Sequence, residues 1–296
     1  MTTRRSFLKT TLQTTAAAAV GSLSVPFAAT CFGQPPKGFA MQLGLVTYQW
    51  GMDWDVPTLI ANCRRAKLTC VELRVDHKHG VSPALSAQER AKVKEQFTGS
   101  GIELVGFGTN FDFHSPDAAK VRKNIDGAKE YVLLSRDCGA SGVKVKPNDL
   151  PKDVEKEKTI AQIAKSLREL GQFAAEYQQE IRLEVHGGCA PIPIMKAIID
   201  QVPETNVTLC WNCNPPDLAP PGLKENFESV AKRLGRVTHI RSLDSPSYPT
   251  KELFDLLCSI RYKGCLLIEE GSTKLTSEER IQQLEHSAKL FAEWKR

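Results

Sequence analysis

Glu184 and His186 stand two residues apart in the run Ile181-Arg182-Leu183-Glu184-Val185-His186-Gly187-Gly188. Carboxylates and imidazoles move protons near neutral pH and hold divalent ions, so this spacing is a candidate for either chemistry. In a strand alternate side chains share a face, which puts Glu184 and His186 on one side and Ile181, Leu183 and Val185 on the other, apolar side. The two glycines that follow suggest a strand running out into a site. Similar residues close other short apolar runs: Glu72 and Asp76, Lys144 and Lys146, Asn212 and Asn214, His239 and Arg241, Glu269 and Glu270. Each alone reads more readily as a salt-bridge partner at a strand end than as a catalyst; it is their convergence in one ring that favours a site. Cys210-Trp211-Asn212-Cys213 has the spacing of a redox dithiol but follows a late apolar run instead of opening a helix after an early strand, which disfavours thiol redox chemistry and zinc.

The elements that must position these residues alternate along the chain. Strand-like runs are expected at 41–49, 70–75, 102–108, 142–146, 181–186, 207–211, 237–243 and 264–269. Helical periodicity is expected at 55–67, 86–98, 115–139, 152–178, 192–201, 223–234, 249–261 and 276–294. Ser86-Ala87-Gln88-Glu89 and Thr276-Ser277-Glu278-Glu279 are capping boxes that open two of these helices. Eight strand–helix units imply a parallel sheet, and their span is that of a single (β/α)8 barrel at 41–296. A doubly wound dinucleotide fold would need Gly-x-Gly-x-x-Gly after its first strand, and none is there. In a barrel the C-terminal strand ends carry function, and these are where the candidates lie.

The N-terminus reads differently. Thr3-Arg4-Arg5-Ser6-Phe7-Leu8-Lys9 resembles a twin-arginine export motif, and a weakly apolar alanine-rich stretch too short to span a membrane follows it. Residues 1–30 are therefore expected to be a signal peptide and 31–40 a linker, leaving a periplasmic protein without a transmembrane anchor. The formal charge of +5 comes from 39 basic and 34 acidic residues. Arg4, Arg5 and Lys9 lie in the first thirty residues with no acid, so the rest carries 36 against 34, a net of +2. No basic stripe interleaved with aromatics is present, which argues against nucleic acid as a partner. The eight cysteines after Cys31 are scattered mostly in apolar runs, unlike a disulfide scaffold.

Ile-Arg-Leu-Glu184-Val-His186 resembles the fifth strand of the xylose isomerase-like barrels, the sugar isomerase/epimerase superfamily. Tyr262-Lys263-Gly264-Cys265-Leu266-Leu267-Ile268-Glu269 resembles that family's eighth strand, and Val71-Glu72-Leu73 a common second-strand pattern. The resemblance implies a small-molecule sugar or sugar derivative as substrate, and proton transfer at a carbon beside its carbonyl with Glu184 and Glu269 as the acid–base pair. It also implies one divalent metal (Mn, Mg, Co or Zn) held by Glu, Asp, His and Glu on strands five to eight. Here Asn212 stands at the aspartate, and in His239-Ile240-Arg241-Ser242-Leu243-Asp244 Arg241 stands at the ligating histidine. Glu184, Asn212 and Glu269 remain as metal ligands, with His186 or His239 able to join them. An arginine is never a ligand, and the four residues with Arg241 carry one net negative charge without any metal. The expectation is thus a site balanced without a metal, in which Arg241 clamps the carboxylates or an enediolate oxygen. His186, Arg241, His239, Lys146 and Glu72 are expected to contact substrate. The alternatives are a sugar-binding barrel whose chemistry is lost and a lyase acting on oxidised glycosides. A superfamily branch that cuts abasic DNA with several metals is disfavoured by only six histidines and no basic face.

Overall fold

Each strand of the molecule is a four- or five-residue buried run, with one longer exception. The computed structural model describes residues 41–272 and 274–295; the expected signal peptide and linker lie outside the described residues. The strands are β1 (Gln42–Val46), β2 (Cys70–Arg74), β3 (Glu103–Asp112), β4 (Gly142–Lys146), β5 (Glu180–Glu184), β6 (Val207–Cys210), β7 (Val237–Ile240) and β8 (Cys265–Ile268). Between and after them come α1 (Val56–Arg65), α2 (Ala87–Thr98), α3 (Ala118–Asp137), α4 (Lys156–Glu176), α5 (Ile192–Ile199), α6 (Leu223–Val230), α7 (Thr250–Ser259) and α8 (Ser277–Trp294). All strand pairs are parallel, in the order β6-β5-β4-β3-β2-β1-β8-β7. The last two edges, β6 and β7, meet through isolated bridges at Leu209–Leu234 and Asn212–His239, so the sheet closes into a barrel with one irregular seam.

Local chemistry explains the helix starts. Both capping boxes form: Ser86 Oγ accepts from Glu89 N at 3.3 Å while Glu89 accepts from Ser86 N at 2.8 Å, and Thr276 and Glu279 repeat the pattern. Asp117 caps α3 by accepting from Ala119 N at 2.8 Å. α4 begins at Lys156, not at 152, after a turn behind Pro151, and no side chain caps it.

Alternation divides the side chains into two cores. Outward-facing residues such as Ile181, Leu183 and Val185 join the large shell between sheet and helices. Inside the bore, Val46, Cys70, Val105, Cys210, Val237, Cys265 and Leu267 form a small apolar cluster of their own. Below that cluster the bore is charged: Arg182 is fully buried, pairs with Glu180 at 2.6 Å and donates to Val105 O at 2.9 Å and Ser141 Oγ at 2.8 Å. Gly142 makes room for this guanidinium, because a Cβ there would lie 3.0 Å from Arg182 Cζ. β3 shifts register against β2, pairing Val71 with Leu104 but Glu72 with Gly106. The bulge turns Gly106 and Gly108 toward the bore, where Phe107 would otherwise crowd it.

Candidate active site

The side chains that follow the apolar cluster toward the C-terminal end of the bore form one connected network. On β2, β4, β5, β7 and the residues after β6 and β8, alternation brings Glu72, Lys144, Glu184, His239, Asn212 and Glu269 to the same interior. Lys144 Nζ donates to Glu184 Oε2 at 2.7 Å, and both side chains are essentially closed to solvent. Glu184 Oε1 accepts from Asn212 Nδ2 at 2.8 Å and lies 3.3 Å from His239 Nδ1. Glu269 Oε2 meets the same two groups, Asn212 Nδ2 at 3.2 Å and His239 Nδ1 at 3.5 Å. The far nitrogen of His239, Nε2, lies 3.2 Å from Glu72 Oε1. Asn212 and His239 are themselves bridge partners at the barrel seam, which is why a residue outside β6 faces a residue inside β7.

The electrostatics follow from this packing. Burial alone would raise the Glu184 carboxyl, but Lys144 and His239 outweigh it and hold it well below the usual carboxylate range. Glu269 is also lowered: burial opposes ionisation, and the neighbouring His239 overcomes it. Burial would depress His239, yet the Cys210 sulfur and the carboxylates of Glu269 and Glu72 hold the imidazole well above its ordinary value. As an imidazolium it donates from both nitrogens.

The donor set fits a divalent ion. Glu184, His239 and Glu269 each offer a ligand atom, all within 4.8 Å of one another. With His239 neutral, an Nε2–H on Glu72 leaves the Nδ1 lone pair directed at the two carboxylates, an arrangement that commonly orients a metal-bound histidine. A half-turn of the Asn212 amide would present its oxygen to the same point. The expected set of Glu184, Asn212 and Glu269 is thus gathered, with His239 as the nearest nitrogen donor.

Arg241 departs from expectation. It forms no ion pair among the described residues, and its NH1 donates to the backbone oxygen of Glu269 at 3.2 Å. The reason is register: Ile240 pairs with Ile268, so Arg241 emerges level with Glu269 and turns across the backbone instead of into the carboxylates. The cations inside the ring are Lys144 and His239. Glu72 and His239, expected as substrate contacts, are fully buried and touch each other, so they support the network from beneath. His186 lies just past β5, half-buried, with Nδ1 3.1 Å from Asn148 Oδ1, and burial holds its imidazole below the ordinary value. Lys146 is half-buried at the end of β4.

Cys210 and Cys213 do not form a dithiol: Cys210 belongs to the bore cluster and Cys213 to the outer shell. Sequence reasoning placed Lys144 beside Lys146 without selecting it. Alternation on β4 was the available signal, since it puts both amines in the bore. Arg74 was overlooked, although it follows Glu72 by two residues in the same strand.

A sequence model described as Xylose isomerase-like TIM barrel matches residues 60–214, more than half of the chain. Among solved structures, the D-allulose 3-epimerase from Methylomonas sp. is 17% identical, with 86% of this chain and 98% of that chain covered and a TM-score of 0.72. The 3-keto-D-glucoside 4-epimerase YcjR from E. coli is 13% identical over 84% of this chain and 99% of its own, with a TM-score of 0.68. The IolI protein with a binding zinc atom is 18% identical over 84% and 96%, with a TM-score of 0.70. No curated protein matches the chain. At these identities the solved structures share the fold, and the family match extends across strands two to six, including the strand that carries Glu184. The chain belongs to the xylose isomerase-like TIM barrel family.

Proposed function

We propose that the chain is a sugar isomerase- or epimerase-like enzyme that moves a proton at a carbon adjacent to a sugar carbonyl. The observation that carries this reading is the convergence of two carboxylates, Glu184 and Glu269, on the same Asn212 amide and His239 imidazole. Proton removal and return on opposite faces of one carbon needs two such groups held at fixed separation. Lys144 keeps Glu184 ionised and immobile. Glu269, with its side chain 13% exposed, is the carboxylate that faces the opening and receives the carbon-bound proton. Asn212, beside both carboxylates, holds a substrate oxygen and Glu184 completes the proton exchange, while His239 keeps the two carboxylates in place from beneath. Glu184, His239 and Glu269, with the Asn212 amide oxygen, would hold a divalent ion, which supplies polarisation of the vicinal substrate oxygens when bound. The similarity in fold to sugar epimerases and to a zinc-binding barrel supports both parts of this reading.

Incubation with a panel of keto- and aldo-sugars in deuterated water tests it. Solvent deuterium is expected at the carbon beside the carbonyl, and Glu269→Gln is expected to slow exchange by roughly 10²–10⁴-fold. Binding without exchange across the panel would overturn the enzyme reading in favour of a sugar-binding barrel. Residues 1–30 complete the proposal as a twin-arginine signal directing the protein to the periplasm. Among the described residues no helix is long and apolar enough to cross a membrane. Lysine at both Arg4 and Arg5 is expected to leave an unprocessed chain in the cytoplasm; unchanged processing would sink the export assignment.

A further inference from the structure

Every carboxylate of the network is engaged: Glu72 with His239, Glu184 with Lys144, Asn212 and His239, Glu269 with Asn212 and His239. Two cations one step nearer the opening are not. Arg74 follows Glu72 by two residues on β2, and Lys146 follows Lys144 by two on β4, so each lies on the bore side above a paired residue. Neither forms an ion pair among the described residues. Arg74 is 8% exposed. Its NH2 donates to Asn110 Oδ1 at 2.9 Å, its only side-chain hydrogen bond among the described residues, and its Nε is buried without a partner. The guanidinium packs over the Tyr48 ring, 5.4 Å from the centroid.

The intervening strand is shaped for this pair. Gly108 on β3 is the register partner of both Arg74 and Lys144, and a Cβ there would lie 2.9 Å from Arg74 Cδ. The Arg74 stem therefore passes over Gly108, and the guanidinium sits on the bore side between Tyr48 and Asn110, with β3 between it and the strand that carries Lys146. Burial, with the charges of Lys144 and Arg74 beside it, pushes the Lys146 ammonium down to about 8. Asp112, opposite Lys146 on β3, is already occupied by the amides of Asn124 and Asn148. A neutral sugar would leave two desolvated cations unpaired, at a cost in binding.

We propose that Arg74 and Lys146 form a subsite for an anionic substituent of the substrate, a carboxylate or a phosphate ester. This rests on the reading of the adjoining network as the sugar-processing centre. A planar guanidinium whose Nε has no partner and a point-charge ammonium on the next strand but one suit either oxyanion.

The test is equilibrium binding by titration calorimetry of the purified protein with D-glucuronate, glucose 6-phosphate, glucose, and inorganic phosphate at matched ionic strength. At least one acidic sugar is expected to bind about tenfold or more tighter than glucose, the equivalent of ~1.4 kcal/mol, and the two acidic arms separate carboxylate from phosphate ester. Lys146→Gln, a half-buried position at a strand end, is expected to abolish that preference, and Arg74→Gln to do the same. Equal affinity for glucose and both acidic sugars, failure of both acidic sugars to bind, or retention of the preference in Lys146→Gln would each overturn the subsite. Deuterium exchange on the same compounds separates the two proposals. Tight binding of an acidic sugar without exchange upholds the subsite and defeats the epimerase reading; exchange into neutral sugars without any acidic preference does the reverse.

Discussion

A lysine with no exposed surface is costly unless its charge is matched, and Lys144 is matched by Glu184 alone. Removing Lys144 leaves the Glu184 carboxylate buried with only Asn212 and His239 on its other oxygen, a loss bounded by the roughly 3–5 kcal/mol of a fully stranded buried charge. Lys144→Met is expected to lower stability by about 1–3 kcal/mol, short of that bound because Asn212 and His239 remain on Glu184, while Lys144→Met combined with Glu184→Gln recovers part of it; urea midpoints of the three proteins read the difference. Asp217 gives a second residue-scale expectation. It is fully buried, accepts from Asn214 N at 2.9 Å and from Tyr248 OH at 3.1 Å, and keeps Oδ1 without a partner. Burial raises its carboxyl from 3.8 to about 7. The folded state therefore holds its proton more tightly than the unfolded state, so stability falls as pH rises from about 4 to about 7 and is level above. The full shift corresponds to roughly 4 kcal/mol. Asp217→Asn is expected to raise the melting temperature at pH 8 and to flatten the pH dependence between 4 and 7. A variant with an unchanged profile would refute the assignment.

At the scale of elements, β3 sets the room the site occupies. Its bulge brings Gly108 to the bore, where a Cβ would lie 2.6 Å from Glu72 Oε1 and 2.9 Å from Arg74 Cδ. Gly108→Ala is expected to destabilise the protein by about 1–3 kcal/mol, the usual cost of overpacking, and to weaken sugar binding through Arg74; thermal melts and calorimetry measure the two effects. The same strand shows what was legible beforehand. Hydrophobic runs marked β3 from 102, yet it extends to Asp112, because Asp112 resumes pairing with Lys146 after a register shift. Glu184 and Glu269 were legible because strand period and strand end both point to the C-terminal mouth. Arg241 was not, since the direction of a residue just beyond a strand depends on its register with β8. Nor did the pattern disclose which lysine on β4 would meet Glu184: alternation allows Lys144 and Lys146 alike, and only depth in the bore separates them.

For the whole molecule, the seam between β6 and β7 is the least regular part of the barrel wall, and it supplies both Asn212 and His239. Its backbone bonds are few: His239 N to Trp211 O at 2.7 Å, Cys213 N to His239 O at 3.3 Å and Gly235 N to Leu209 O at 2.8 Å. Fraying there would separate the amide and the imidazole that hold Glu184 and Glu269 together. Occupancy of the centre and closure of the wall are therefore thermodynamically linked. Hydrogen–deuterium exchange is expected to be faster at the amides of Cys213 and His239 than at that of Leu183 in mid-β5, and to slow at the seam when zinc or manganese is added. Equal protection with and without the ion would break the link. A molecule built this way is stapled shut by whatever its centre binds, so the empty and loaded forms should differ in resistance to proteolysis at the β6–β7 edge as well as in chemistry.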